Sequence, residues 1–88
     1  MTIYAIIETL KAGYDLDKKQ MVDKGFKVGD RFVLSDVDMG QSSTSISLEG
    51  QTGYFNSVFF KFEENGEELD IYGDSRFNPY MSMYDDYD

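Results

Sequence analysis

The residues of this chain that could do chemistry are carboxylates, hydroxyls and phenols, because histidine and cysteine are both absent. Without histidine there is no common general base, no usual activator of a nucleophile and no favoured transition-metal ligand. Without cysteine there are no disulfides and no thiolate zinc sites. Asp36-Val37-Asp38-Met39-Gly40 has the alternate oxygens and turn glycine that open a calcium loop. An EF-hand also needs an oxygen ligand at its fifth position, glycine at its sixth and a bidentate glutamate at its twelfth, where this chain has Ser47. The run therefore reads as a strand-end turn, with only weak metal binding at Asp36 and Asp38 left open. The serines from Ser42 to Ser47 have no histidine to activate them and no Ser-x-x-Lys spacing, so they read as a loop leading into a strand.

The carboxylates are the informative group. Residues 1–62 carry eight acids against seven bases, whereas residues 63–88 carry nine acids against Arg76 alone. The last 26 residues therefore hold −8 of the net −9. Acid–base cleavage of a glycoside needs two acids flanking a cleft, and these acids are expected on an exposed hairpin and tail. Binding is the chemistry they suit. Carboxylates along a β ribbon present negative charge every few ångström, comparable to a nucleic-acid backbone, and a cationic groove built for phosphates would attract them. The candidate contact residues are Glu63, Glu64, Glu67, Glu68, Asp70 and Asp74, joined by Tyr84, Asp85 and Asp86 near the C-terminus. No catalytic residue, cofactor or metal is assigned, and the chain is expected not to be an enzyme.

These residues need a scaffold. At 88 residues, 41% hydrophobic and 16% aromatic, the chain has the material for one core. Ile3 to Glu8 fits a first strand, with Ile3, Ala5 and Ile7 on one face and Tyr4 and Ile6 on the other. Asp15 to Val22 fits a short helix capped by Asp15, with Leu16, Met21 and Val22 as its apolar residues. Gly29-Asp30 turns into a second strand over Asp30 to Asp36, and Thr44 to Glu49 alternates as a third. Tyr54 to Phe62 fits a strand or a pair of short strands, with room for one helical turn near Asn56. Asn65-Gly66 is a type I′ hairpin signal, pairing Val58 to Glu64 with Glu67 to Tyr72 so that Glu64 faces Glu67 and Glu63 faces Glu68. Like charges directly opposite one another cost a few tenths of a kcal/mol or more.

The expected fold is mainly β (α+β): a small, strongly bent antiparallel sheet or an SH3-like barrel of about five strands with one short helix. One β-rich domain covers residues 1–80, and residues 81–88 form an acidic, flexible tail. The aromatics Phe55, Phe59, Phe60, Phe62 and Phe77 are assigned to the core. The first apolar run ends at Glu8 with no Lys or Arg before it, so neither a signal peptide nor a membrane span is expected.

Val28-Gly29-Asp30, Met39 to Ser45, Tyr54-Phe55-Asn56-Ser57-Val58-Phe59-Phe60, Leu69-Asp70-Ile71-Tyr72 and Arg76-Phe77-Asn78-Pro79-Tyr80 together resemble small proteins encoded by phages and prophages of Gram-positive bacteria. In size, acidity and lack of enzymatic residues the chain is also similar, as a class, to the type II-A anti-CRISPR inhibitors of Cas9. The absence of cysteine fits a reducing compartment, and with no signal peptide or membrane span expected the protein is placed in the host cytoplasm, as a monomer. The resemblance implies that it would bind a basic nucleic-acid-binding protein, Cas9 with or without its guide RNA, by mimicking DNA charge, and would not itself bind nucleic acid or membrane. A phage structural or assembly protein and an SH3-like peptide-binding module are the alternative readings.

Overall fold

The computed structural model describes residues 2–40 and 42–78. It contains six strands, β1 (Ile3–Ile7), β2 (Arg31–Met39), β3 (Thr44–Leu48), β4 (Phe55–Asn56), β5 (Phe60–Glu64) and β6 (Glu67–Leu69), and one helix, α1 (Asp15–Asp23). Two 3-10 turns, Ser57–Phe59 and Ile71–Gly73, follow β4 and β6. All strand pairs are antiparallel, in the order β4-β3-β2-β1-β5-β6. Of the two architectures expected, the bent open sheet is the one formed, with six strands instead of about five.

The bend comes from β2. Its first half pairs with β1 (Ala5 opposite Phe32) and its second half with β3 (Val37 opposite Ile46), and the register shifts between Leu34 and Asp36. Ser35 is the extra residue of a β-bulge, which increases local twist and flips which parity faces inward. Before it Phe32 and Leu34 pack on the core; after it Val37 does. The three-residue 3-10 turn from β4 to β5 forces a further curl. It carries the chain from one edge of the sheet to the far side of β1, and the core lies inside that curve.

This geometry corrects the expected end of the second strand. Asp36 to Met39 are strand, and Asp36 and Asp38 alternate with inward Val37 instead of forming a turn. The inverted parity across Ser35 disguises the strand as two unrelated fragments.

The core is Ile3, Ala5 and Ile7 of β1, Ile46 and Leu48 of β3, Phe55, Phe59, Phe60 and Phe62, with Met21, Phe26 and Ile71 closing it. Four of the five aromatics assigned to the core are buried, and Phe77 packs against the cluster partly buried. Phe26 links the layers, its ring 4.8 Å from Phe32 and 5.5 Å from Phe55.

The helix is attached differently from expectation. Its N-cap is Tyr14, not Asp15, and the Asp17 carboxylate accepts the Tyr14 N–H at 3.2 Å. Only Met21 is buried; Leu16 is 82% exposed and Val22 68%. Polar bonds hold the rest of the inner face: Gln20 Nε2 donates to the Tyr54 carbonyl and Asn56 Nδ2 to Asp17 Oδ2. The scattered apolar residues never formed a helical stripe.

Candidate functional site

The β5–β6 hairpin forms as its turn residues dictate. Asn65 and Gly66 have φ of 56° and 80°, a left-handed pair that a side chain larger than Asn resists. The ladder sets Phe62 opposite Leu69, Glu63 opposite Glu68 and Glu64 opposite Glu67. Because Phe62 and Leu69 face the core, alternation sends Glu64 and Glu67 to the inner side and Glu63 and Glu68 to the outer side.

On the inner side an arginine answers the acids. Arg76 donates to both oxygens of Glu64, Nη1 at 3.0 Å and Nη2 at 2.8 Å. Its Nε and Nη2 also bond Asp74, Nη2 to Oδ2 at 2.6 Å. The fork geometry of guanidinium makes such bidentate contacts the strong form of ion pair. Hydrogen bonding from Arg76 holds the Glu64 carboxyl below the ordinary glutamate range and Asp74 below that of aspartate, and the two carboxylates raise the arginine in turn. Asp74 Oδ1 also accepts the Arg76 backbone N–H, closing a tight loop that lays Phe77 on the core.

Asp70 is occupied locally, its Oδ1 accepting the Tyr72 N–H to start the second 3-10 turn. That turn is pinned by a 2.6 Å bond between the Tyr72 and Ser57 hydroxyls. Among the described residues, Glu63, Glu67 and Glu68 make no side-chain hydrogen bond or ion pair. A groove of about 410 Å³ beside β6 is lined by Lys61, Glu68, Asp70 and Tyr72 over Phe60 and Phe62.

The structure thus brings Glu63, Glu64, Glu67, Glu68, Asp70 and Asp74 into one region around β6. Tyr84, Asp85 and Asp86 lie outside the described residues. What the sequence reading missed is the role of Arg76. The signal was present, since a lone base among nine acids is a natural counter-ion. Elsewhere Tyr54 donates its hydroxyl to Asp36 Oδ2 at 3.2 Å, and that bond, with the Asp36 charge, raises the phenol above its ordinary range. The described residues contain no cluster of three or more potential metal ligands and no helix long and apolar enough to cross a membrane.

Over residues 2–83 the chain matches the family described as Bacteriophage T4 protein Y07B. The chain belongs to that family. The expectation of a small phage protein is thereby met at family level. No curated protein and no solved structure matches this member of the family.

Proposed function

We propose that this phage-family protein acts by binding, not by catalysis, and that its acidic hairpin occupies a cationic, nucleic-acid-binding surface of another protein. The observation that carries the reading is the set Glu63, Glu67 and Glu68, gathered at one hairpin and forming no ion pair among the described residues. Crowded carboxylates weaken a fold, and a phosphate-binding surface on a partner would relieve them while releasing its counter-ions. The likeness in class to anti-CRISPR proteins nominates Cas9 as that partner.

The test is capture of purified Cas9, with and without guide RNA, at low and at high salt. The expected result is capture that falls steeply with salt and is lost in the triple variant Glu63→Lys, Glu67→Lys, Glu68→Lys. Absence of capture in both guide states removes Cas9, and capture indifferent to salt and to the triple variant removes the charge-mimicry reading.

A specific cluster supports a peptide-binding alternative. Asp17 bonds both the Tyr14 N–H and Asn56, whose Oδ1 accepts the Val58 N–H, so the exposed side chains of Tyr14 and Val58 sit on neighbouring backbone near Tyr54. Proline-rich peptides favour such aromatic surfaces. A titration that leaves the Tyr14, Tyr54 and Val58 amides unmoved removes this alternative.

A further inference from the structure

The chain has three asparagines, Asn56, Asn65 and Asn78. Asparagine is thermolabile because the backbone nitrogen of the next residue can attack its Cγ and expel the side-chain amide as ammonia. The fold treats the three differently. Asn56 is half-buried with both ends of its amide engaged: Nδ2 donates to Asp17 at 3.2 Å and Oδ1 accepts the Val58 N–H at 3.0 Å. Ser57, which would supply the attacking nitrogen, is buried at 3% exposure. Asn78 precedes Pro79, whose nitrogen has no hydrogen to lose, and its Nδ2 donates to the Tyr72 carbonyl at 2.7 Å. Asn65 has none of these protections. It is exposed at the hairpin tip, and its side chain makes no hydrogen bond among the described residues. The Gly66 N–H takes no turn or loop bond, and the space where a Cβ would stand on Gly66 is open, so nothing shields that nitrogen.

We propose that Asn65 is a site of spontaneous backbone modification, converted by its own chain and water to aspartate and isoaspartate. The Gly66 nitrogen loses its proton to solvent and bonds to Asn65 Cγ. The Cγ–Nδ2 bond breaks, and Nδ2 leaves as ammonia with a proton taken from solvent, so that a five-membered succinimide remains. Water then opens the ring. Addition at Cγ breaks the new bond and leaves aspartate; addition at the main-chain carbonyl breaks the original peptide bond and leaves isoaspartate, with the chain running through Cβ and Cγ. Nothing is oxidised or reduced. Exposed turn tips open locally at low cost, and the opposed pairs Glu63–Glu68 and Glu64–Glu67 weaken this end of the ladder further. The same carboxylates oppose loss of the Gly66 proton, which slows the step without moving it to another residue. The product matters to the fold. A two-residue I′ turn cannot absorb the extra backbone atom of isoaspartate, and either product adds a carboxylate beside Glu63, Glu64, Glu67 and Glu68. Isoaspartate therefore undoes the register that sorts these glutamates to two faces, whatever the hairpin binds.

The test keeps the whole folded protein in warm, mildly alkaline buffer and samples it over time by mass-spectrometric peptide mapping, with isoaspartyl methyltransferase as the probe for isoaspartate. Isoaspartate should accumulate at position 65 while Asn56 and Asn78 stay intact. Unfolding in urea should speed conversion of Asn56 many-fold and of Asn65 far less, because the fold protects only the first. Gly66→Ala should slow conversion of Asn65 several-fold, its methyl flanking the attacking nitrogen, even though it loosens the turn. In amide NMR the aged protein should show a second set of signals for Glu63, Glu64, Glu67 and Glu68, with Ile46 and Leu48 of β3 unmoved. Asn65 still intact when Asn56 has reacted in the folded protein would overturn the proposal. Equal acceleration of the two by urea, undiminished conversion in Gly66→Ala, or hairpin signals unchanged once isoaspartate has formed would each overturn it as well.

Discussion

Glu63 and Glu64 are neighbours in one strand and live in opposite conditions. Glu64 points inward, where both of its oxygens are bonded by Arg76. Glu63 points outward to face Glu68, with no cation bonded to either among the described residues. The same contrast separates Asp74, bonded by the same arginine, from Glu67, which is not. A run of acids that looks uniform in sequence is divided by strand parity into a part that builds the fold and a part that is spare. The total of −8 after residue 62 therefore overstates the charge offered to a partner, because Arg76 ties down two of the carboxylates.

The largest break of this comparison is to remove its common floor. Phe62 lies under the hairpin at 3% exposure, between Ala5 and Leu69. Phe62→Ala should cost about 3–5 kcal/mol, read by urea denaturation, and should abolish the difference between the two sides because the ladder that separates them loses its anchor. A smaller loss should follow Gly66→Ala. With φ at 80° and nothing near the added methyl, the cost is backbone strain alone, about 1–2 kcal/mol. The outcome that counts against the assigned register is a Gly66→Ala protein as stable as the parent.

Acid pH should act on the inner side selectively. Glu64 and Asp74 have folded-state pKa values lowered by Arg76, so the folded protein binds protons there less readily than the unfolded chain. Their stabilisation is complete above the unfolded carboxyl values, about 4, and is lost as pH falls through the lowered folded values. Melting temperature should fall over this range in the parent and fall less in Arg76→Ala, which starts several degrees lower. A parallel fall in both proteins would show that Arg76 is not the cause. At the other end of the scale, Tyr54 should ionise above the ordinary tyrosine value near 10, and Asp36→Asn should bring its ultraviolet titration back toward normal.

What could be read in advance follows how local each signal is. Asn65-Gly66 fixed the hairpin and its register to the residue, because a two-residue I′ turn leaves no freedom in pairing. The two faces of β1 followed from alternation, and the burial of the Phe cluster from the apolar area that large side chains bring to a small core. Signals that depend on the rest of the molecule misled. The bulge at Ser35 inverted parity mid-strand, so β2 looked shorter than it is. Leu16, Met21 and Val22 mark a short helix, yet of these only Met21 docks, and the other attachments run through Asp17 and Gln20, contacts that exist only once β4 is in place. Arg76 reaches Glu64 across 12 residues of chain, a pairing with no local signature.

The smallest expected effect is the sharpest discriminator between the two sides. Glu68→Gln removes one charge from a directly opposed like-charge pair that forms no ion pair among the described residues, so it should stabilise the fold by a few tenths of a kcal/mol. Glu67→Gln removes a charge opposite Glu64, whose own charge is already bonded by Arg76, so it should gain less. If the outer pair is kept for binding, the residue whose replacement most helps the isolated fold is the one whose replacement most harms association. Paired melting curves and Cas9 capture on these two variants would show that inverse order, and a Glu68→Gln protein that is more stable and captures Cas9 undiminished would separate crowding from function.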